Sequence, residues 1–178
     1  MARAPIRMLT PRYVDTREAD ERRVPLEQAG FTPKALHAGD ACFPEAGGDW
    51  VGIEHKKWPQ FIEDMKSGQI IKQARLLVEE YKFPWLVLEG SLYAADGHLL
   101  DRAQISVNQI KRQLRTLQDL GLRWERVINS TDYVEMVLDI ADYYSETVHN
   151  SALRGLSQNA KVAALTLVYG VGQAKAQA

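Results

Sequence analysis

Glu54-His55-Lys56 closes an apolar run, Trp50-Val51-Gly52-Ile53, and stands just before a proline-marked helix start at Pro59. In a strand, residues two apart point to the same face, so Glu54 and Lys56 share one. A carboxylate able to hold a hard divalent cation, beside an ammonium, suits the cutting of a phosphodiester. Glu-x-Lys also arises by chance in many strands. Its weight depends on further carboxylates at the same place. Asp15 ends an earlier strand, Arg12 to Asp15, and Asp40 lies in a second, Gly39 to Phe43. If these strands are neighbours, three carboxylates and a lysine meet at one end of a sheet. They could then hold one or two Mg²⁺ ions in an open site, with Lys56 orienting water or neutralising a developing oxyanion. On the residues alone there is an alternative. Asp15 and Asp40 can be turn or cap residues, and Glu54 and Lys56 an exposed strand pair.

The elements that must position this set read as follows. Pro44 to Asp49 is dense in turn formers and closes a hairpin onto Trp50–Lys56. A short helix is expected over Val24–Ala29, stopped at Gly30. Ser67-Gly68 breaks the helix begun at Pro59. Ile70, Ala74, Leu77, Val78 and Tyr81 then share one helical face. Pro84–Glu89 reads as a buried strand, and Val107, Ile110, Leu114 and Leu117 mark a long amphipathic helix ending at Gly121. Trp124–Ile128 is another strand, followed by a helix capped by Ser130 or Thr131 and bearing Val134, Val137, Leu138 and Ala141. Strands alternating with helices after a hairpin predict an α/β fold: a mixed central sheet flanked by helices on both faces.

The chain has 178 residues, 46% hydrophobic and 25% charged, the balance of a soluble globular domain. No apolar run is long enough to span a membrane, so no membrane partner is expected. The one cysteine, Cys42, excludes an internal disulfide and suits a reducing cytosol. With His37, His55, His98 and His149 scattered, no zinc pattern forms. The net charge of −1 offers no overall attraction for nucleic acid, but says nothing of local patches. Arg3, Arg7 and Arg12, then Lys111, Arg112, Arg115, Arg123 and Arg126, suit either solvated helix faces or a DNA-contacting surface. Residues 1–10 read as a basic, flexible arm, 11–149 as the main domain, and 150–178 as a linker with a further apolar helix.

Several short motifs then fall in a familiar order. Val14-Asp15-Thr16-Arg17-Glu18 resembles the Asp-x-Arg-Glu opening of the XPF-type structure-specific nucleases. Leu36-His37-Ala38-Gly39-Asp40 is similar to their Gly-Asp strand, and Ile53-Glu54-His55-Lys56 to their Glu-Arg-Lys-x-x-x-Asp. Ser67-Gly68-Gln69-Ile70-Ile71-Lys72-Gln73 resembles an Asp-Gly-Arg-x-x-x-Gln helix start. Tyr81 to Gly90 resembles the strand that follows, and Asn129-Ser130-Thr131 the entry to the last helix. Gly170-Val171-Gly172-Gln173-Ala174-Lys175-Ala176 resembles part of a helix-hairpin-helix, which offers backbone N–H groups to phosphates. This sequence departs from the pattern at His55, Gln60 and Gln69. The hairpin between Asp40 and Glu54 is also longer than is usual in the family.

The resemblance implies a restriction-endonuclease-like three-layer core and a Mg²⁺-dependent endonuclease, with Mn²⁺ able to substitute. Such enzymes cut duplex DNA near branches, flaps, forks or junctions in replication, recombination or repair. It implies Asp40 and Glu54 as metal ligands, Asp15 and Glu18 as acids that bind or position the metal and its waters, and Lys56 as the catalytic lysine. Arg17 pairs with a site carboxylate. Asp49 is a rival ligand, though its Gly-Gly-Asp context reads as a turn. Lys57, Gly170 and Gly172 would contact DNA. Branched or duplex DNA is the implied partner, and a homodimer is allowed. The expected location is cytoplasmic for a prokaryotic, archaeal or virally encoded chain and nuclear for a eukaryotic one. Two other readings compete: a catalytically weak module that binds branched DNA or pairs with an active subunit, and a site-specific restriction enzyme of the same fold.

Overall fold

The apolar runs punctuated by glycine and proline become strands and helices in a computed structural model that describes residues 11–93 and 105–145. In chain order they are β1 (Tyr13–Asp15), α1 (Asp20–Gln28), β2 (Thr32–Lys34), β3 (Ala41–Pro44), β4 (Trp50–Lys57), α2 (Trp58–Ser67), α3 (Gln69–Glu80), β5 (Phe83–Glu89), α4 (Val107–Asp119), β6 (Arg123–Val127) and α5 (Ser130–Ser145). The first compact unit ends at Ser145. The arm expected over 1–10 and the linker and hairpin expected over 150–178, with Gly170 and Gly172, lie outside the described residues.

The strands form one mixed sheet in the order β2–β1–β3–β4–β5–β6. Only β3 runs against its neighbours; β1 pairs parallel to β2, and β4, β5 and β6 are mutually parallel. One edge of the sheet therefore collects the carboxyl ends of β1, β4 and β5 together with the start of β3. After β1 the chain crosses to α1 on one face, and after β4 to α2 on the other. A crevice at the carboxyl edge between two such crossings is where open α/β sheets bind ligands.

Two apolar layers sandwich the sheet. On one face Leu86 and Leu88 pack with Trp58, Phe61 and Ile62 of α2, Ile70, Ala74 and Leu77 of α3, and Ile110, Leu114 and Leu117 of α4. On the other, Val51, Ile53 and Val87 pack with Leu26 of α1 and with Tyr133, Val137 and Ile140 of α5. Strand alternation sends successive β4 residues to opposite layers. The three layers are those the sequence predicts.

Three details differ from the expectation. α1 begins at Asp20, four residues before Val24, because Asp20 and Glu21 fill its first turn, where carboxylates favour the helix dipole. β2 is a three-residue strand, exposed throughout and containing Pro33, with no apolar alternation to reveal it. The cap of α5 is Asn129, whose Oδ1 accepts from the N–H groups of Thr131 (2.8 Å) and Asp132 (3.0 Å). Ser130 is already the first helical residue.

Two glycines are required by close approach. Gly39 has φ +78°, and a Cβ there would stand 3.0 Å from the Ile53 carbonyl, so only glycine makes the turn that delivers Asp40. Gly52 lies under the ring of Tyr81, where an added Cβ would come within 2.0 Å of the ring. Tyr81 cannot step aside, because its hydroxyl donates to the Ala38 carbonyl at 2.8 Å. Gly52→Ala should therefore cost about 3 kcal/mol of stability, the upper range for overpacking a core. Chemical denaturation measures this; a loss below about 1 kcal/mol would show that the Tyr81 ring moves freely.

Candidate active site

Asp40, Glu54 and Lys56 meet at the carboxyl edge, on the face covered by α2 and α3. Asp40 stands immediately before β3. Its N–H donates to the Ile53 carbonyl (2.7 Å), and its Oδ2 accepts from the His55 N–H (2.7 Å). The backbone of β4 thus aims one site carboxylate from both ends. Asp40 and Glu54 line an open cleft of about 350 Å³ with Arg17, His37 and Gln73. Burial first, and then the charges of Glu54 and Glu18, push the Asp40 carboxyl well above the usual carboxylate range. Burial likewise raises Glu54, against the opposing charge of Lys56.

Lys56 is held behind Glu54, its side chain 2% exposed. Its Nζ lies 3.3 Å from Glu54 Oε1 and 2.8 Å from Asp64 Oδ2. Burial works against the ammonium, but the Asp64 hydrogen bond and the Glu54 charge outweigh it and hold the pKa above the ordinary lysine value. Asp64 was not anticipated. The sequence motif points to position 60, which is glutamine; Asp64 lies one helical turn further along α2, on the same face. That i,i+4 spacing is the signal that could have found it.

Asp15 sits differently from the metal ligand expected. Its Oδ1 accepts from the backbone N–H (2.7 Å) and Nε (2.9 Å) of Arg17, and its Oδ2 from Arg17 Nη2 (2.6 Å) and the Leu36 N–H (3.1 Å). Both oxygens are engaged, and the Arg17 hydrogen bond above all holds the carboxyl below its usual range. Arg17 Nη2 also donates to the Leu36 carbonyl (2.8 Å). Its guanidinium thus borders the cleft with its charge set toward Asp40 and Glu54.

Whether a divalent ion fits can be judged from the donors. No group of three or more His, Cys, Asp or Glu side chains forms a ready metal cage among the described residues. Asp40 and Glu54 are two partly buried acids in an open cleft, each raised by burial, and Gln73 Oε1 is buried on the same wall without a protein donor. Two carboxylates and free acceptor positions for water suit Mg²⁺, which keeps several waters and takes few protein ligands.

The opposite face of β4 holds a second polar cluster. His55 Nε2 donates to Glu89 Oε2 at 2.8 Å, and its ring meets that of Tyr133 edge-on. Burial first, and then the nearby Arg22 charge, lower the His55 pKa; because the partner is a carboxylate, the hydrogen of this contact sits on Nε2. Arg22 is 7% exposed and gathers Glu18 (2.6 Å), Glu21 (2.9 Å) and Glu89 (3.5 Å). Glu18, expected at the site, points its Oε1 to Arg22 and to the Ala19 N–H (2.7 Å), although its charge is felt by both Asp40 and Glu54. Lys57, expected to contact DNA, is half exposed and 3.7 Å from both Glu21 and Glu89. Asp49 is excluded as a ligand by position: it precedes β4 at the far edge of the sheet and pairs with Lys82. Of the basic residues singled out, Arg123 lies over Phe83, Trp85 and Tyr144, and Arg12 pairs with Asp142.

Comparison with known proteins bears on the family and the fold. The family described as ERCC4 domain matches residues 14–171. The solved structure of XPF from Aeropyrum pernix superposes with a TM-score of 0.62 at 20% identity, over 94% of this chain and 78% of that one. The structure of XPF from Aeropyrum pernix in complex with DNA gives 0.62 at 19%, with the same coverage. At this identity the likeness establishes the fold. No curated protein sequence matches the chain.

Proposed function

The chain belongs to the ERCC4 domain family, one of structure-specific DNA nucleases, and from that premise we propose that it is a Mg²⁺-dependent endonuclease acting at branches, flaps, forks or junctions. The observation that carries this reading is the pairing of Asp40 and Glu54 in an open cleft, with Lys56 fixed behind Glu54. Asp40 and Glu54 would hold the ion. When bound, it would lower the pKa of a water and steady charge on the phosphate oxygens. Lys56 keeps its positive charge and locks one oxygen of Glu54. Asp15 fixes Arg17, whose exposed guanidinium is placed to receive a phosphate beside the cleft. Glu18 tunes the two acids through its charge while anchored to Arg22.

The direct test is cleavage of flap, fork and four-way-junction DNA with Mg²⁺ or Mn²⁺. Nicking near the branch is expected. Tight binding of all three with no cleavage would replace this reading by that of a binding module, and cutting of linear duplex at one sequence by that of a restriction enzyme.

A pH dependence follows from the two acids. Their folded pKa values are raised, so the ion-free protein keeps protons that an ordinary carboxylate loses near pH 4. Ion binding must displace them. Mn²⁺ affinity should therefore climb as pH rises above that range and level off once both acids are ionised. The same buried charges oppose folding increasingly as pH rises from the ordinary carboxylate range to the folded pKa values, where the penalty levels off, and a bound cation removes that opposition. Mn²⁺ should raise the melting temperature more at about pH 8 than at about pH 5. Titration calorimetry in buffers of different ionisation enthalpy reads the proton release. Equal affinity and no proton release across that interval would refute the assignment.

A further inference from the structure

Beside the cleft lies a second hollow of about 370 Å³, lined by Tyr13, Lys34, Leu36, His37, Trp50 and Tyr81, with Glu80 at its rim. His37 borders both cavities. The hollow exists because the sheet is small-sided there: Tyr13, Cys42 and Gly52 form one cross-strand row, and two of the three carry little or no side chain. Its aromatic walls are fixed. Tyr13 and Trp50 are stacked with ring centroids 5.9 Å apart and planes 13° apart, and Tyr81 is anchored through its hydroxyl. Lys34 is exposed, with its ammonium 4.6 Å from the Tyr13 ring centroid.

We infer that this hollow receives an unpaired nucleobase from the DNA strand that passes through the cleft. The inference rests on the nuclease reading above. The volume falls in the range of small-ligand sites, about 300–1,000 Å³. Flat aromatic walls beside a cation match a base with its phosphate, and such contact is tolerant of sequence. Glu80 adds an acceptor for an exocyclic amino group. Lys34 and His37 at the mouth supply the cationic and hydrogen-bonding groups for the flanking phosphate. A base within a duplex cannot reach the hollow, because its faces are covered by its neighbours. The hollow therefore selects a strand that is already single beside the cut, and makes branch preference a property of the core domain itself.

The test uses a forked duplex carrying 4-thiothymidine at successive unpaired positions, with Ca²⁺ in place of Mg²⁺. Irradiation should crosslink one or two neighbouring positions to peptides bearing Tyr13, Trp50 or Tyr81. The variant Lys34→Glu changes one exposed residue that lines the hollow and not the cleft. It should bind the fork about tenfold more weakly while its affinity for fully paired duplex stays within about twofold. Crosslinks elsewhere, no crosslinks, or equal weakening on both DNAs would each overturn the inference. Cleavage of the same fork with Mg²⁺ separates the two claims. A fork that is cut but not crosslinked sinks the hollow and leaves the nuclease; one that is crosslinked but not cut does the reverse.

Discussion

Lys56→Ala is expected to lower DNA cleavage by about a thousandfold while affinity for branched DNA changes by less than about threefold. The ammonium has no route to the DNA except through the site, since its side chain is 2% exposed and sits against Glu54 and Asp64. It is also held protonated by those partners. It therefore acts as a fixed positive charge and not as a base, and the shape of the residual pH–rate profile should be unchanged. The substitution leaves two carboxylates facing each other, so some stability is lost too. Lys56→Met/Asp64→Leu, with the carboxylate opposite Lys56 removed, should regain most of that stability and none of the activity. Single-turnover cleavage with melting curves on both variants gives the result. Retention of a tenth or more of wild-type activity by Lys56→Ala would remove Lys56 from the mechanism.

The second large effect is on folding. Arg22→Ala should destabilise the protein by about 3–5 kcal/mol, the cost of leaving buried ions without their partner. Glu18 and Glu89 are 8% and 9% exposed, and Arg22 is the one buried cation that reaches both. Of the remaining partners of Glu89, His55 and Ser130 each give a hydrogen bond and Lys57 is exposed and stands off at 3.7 Å, so none replaces the buried guanidinium. Arg22→Lys should recover little, because an ammonium cannot replace a planar fork that reaches several acids at once. Equilibrium denaturation would decide it. A loss under about 1 kcal/mol for Arg22→Ala would mean that solvent already screens the cluster.

The layers of the fold were legible because β4 and β5 are apolar runs bounded by turns and α3 and α4 carry clear helical stripes. The meeting of Asp40, Glu54 and Lys56 was legible from motif order. What the chain did not announce lies where partners are long-range or where one turn of helix shifts a role. Asp64 answers Lys56 from the next turn. Arg22 reaches Glu89 across two elements, and nothing in Asp-Glu-Arg-Arg marks which arginine turns inward. Asp15 looks like a ligand in sequence, yet its nearest arginine is two residues away and occupies both its oxygens. β2 is too short, polar and exposed for any periodicity to show.

The turn from Pro44 to Asp49 gives the antiparallel pair a further meaning. Asp40 stands just before β3 and Glu54 lies near the end of β4, so the turn joining the two strands stands at the opposite margin of the sheet, where the Ala46 N–H donates to the Tyr144 carbonyl (2.8 Å). The separation of the two acids along the chain is then a measure of hairpin length, not of distance in space. Extra residues can accumulate at that tip without moving either carboxylate. The same tip, at the margin away from the cleft, is a natural place to graft a fluorophore or a tether that reports on the protein without touching Asp40 or Glu54.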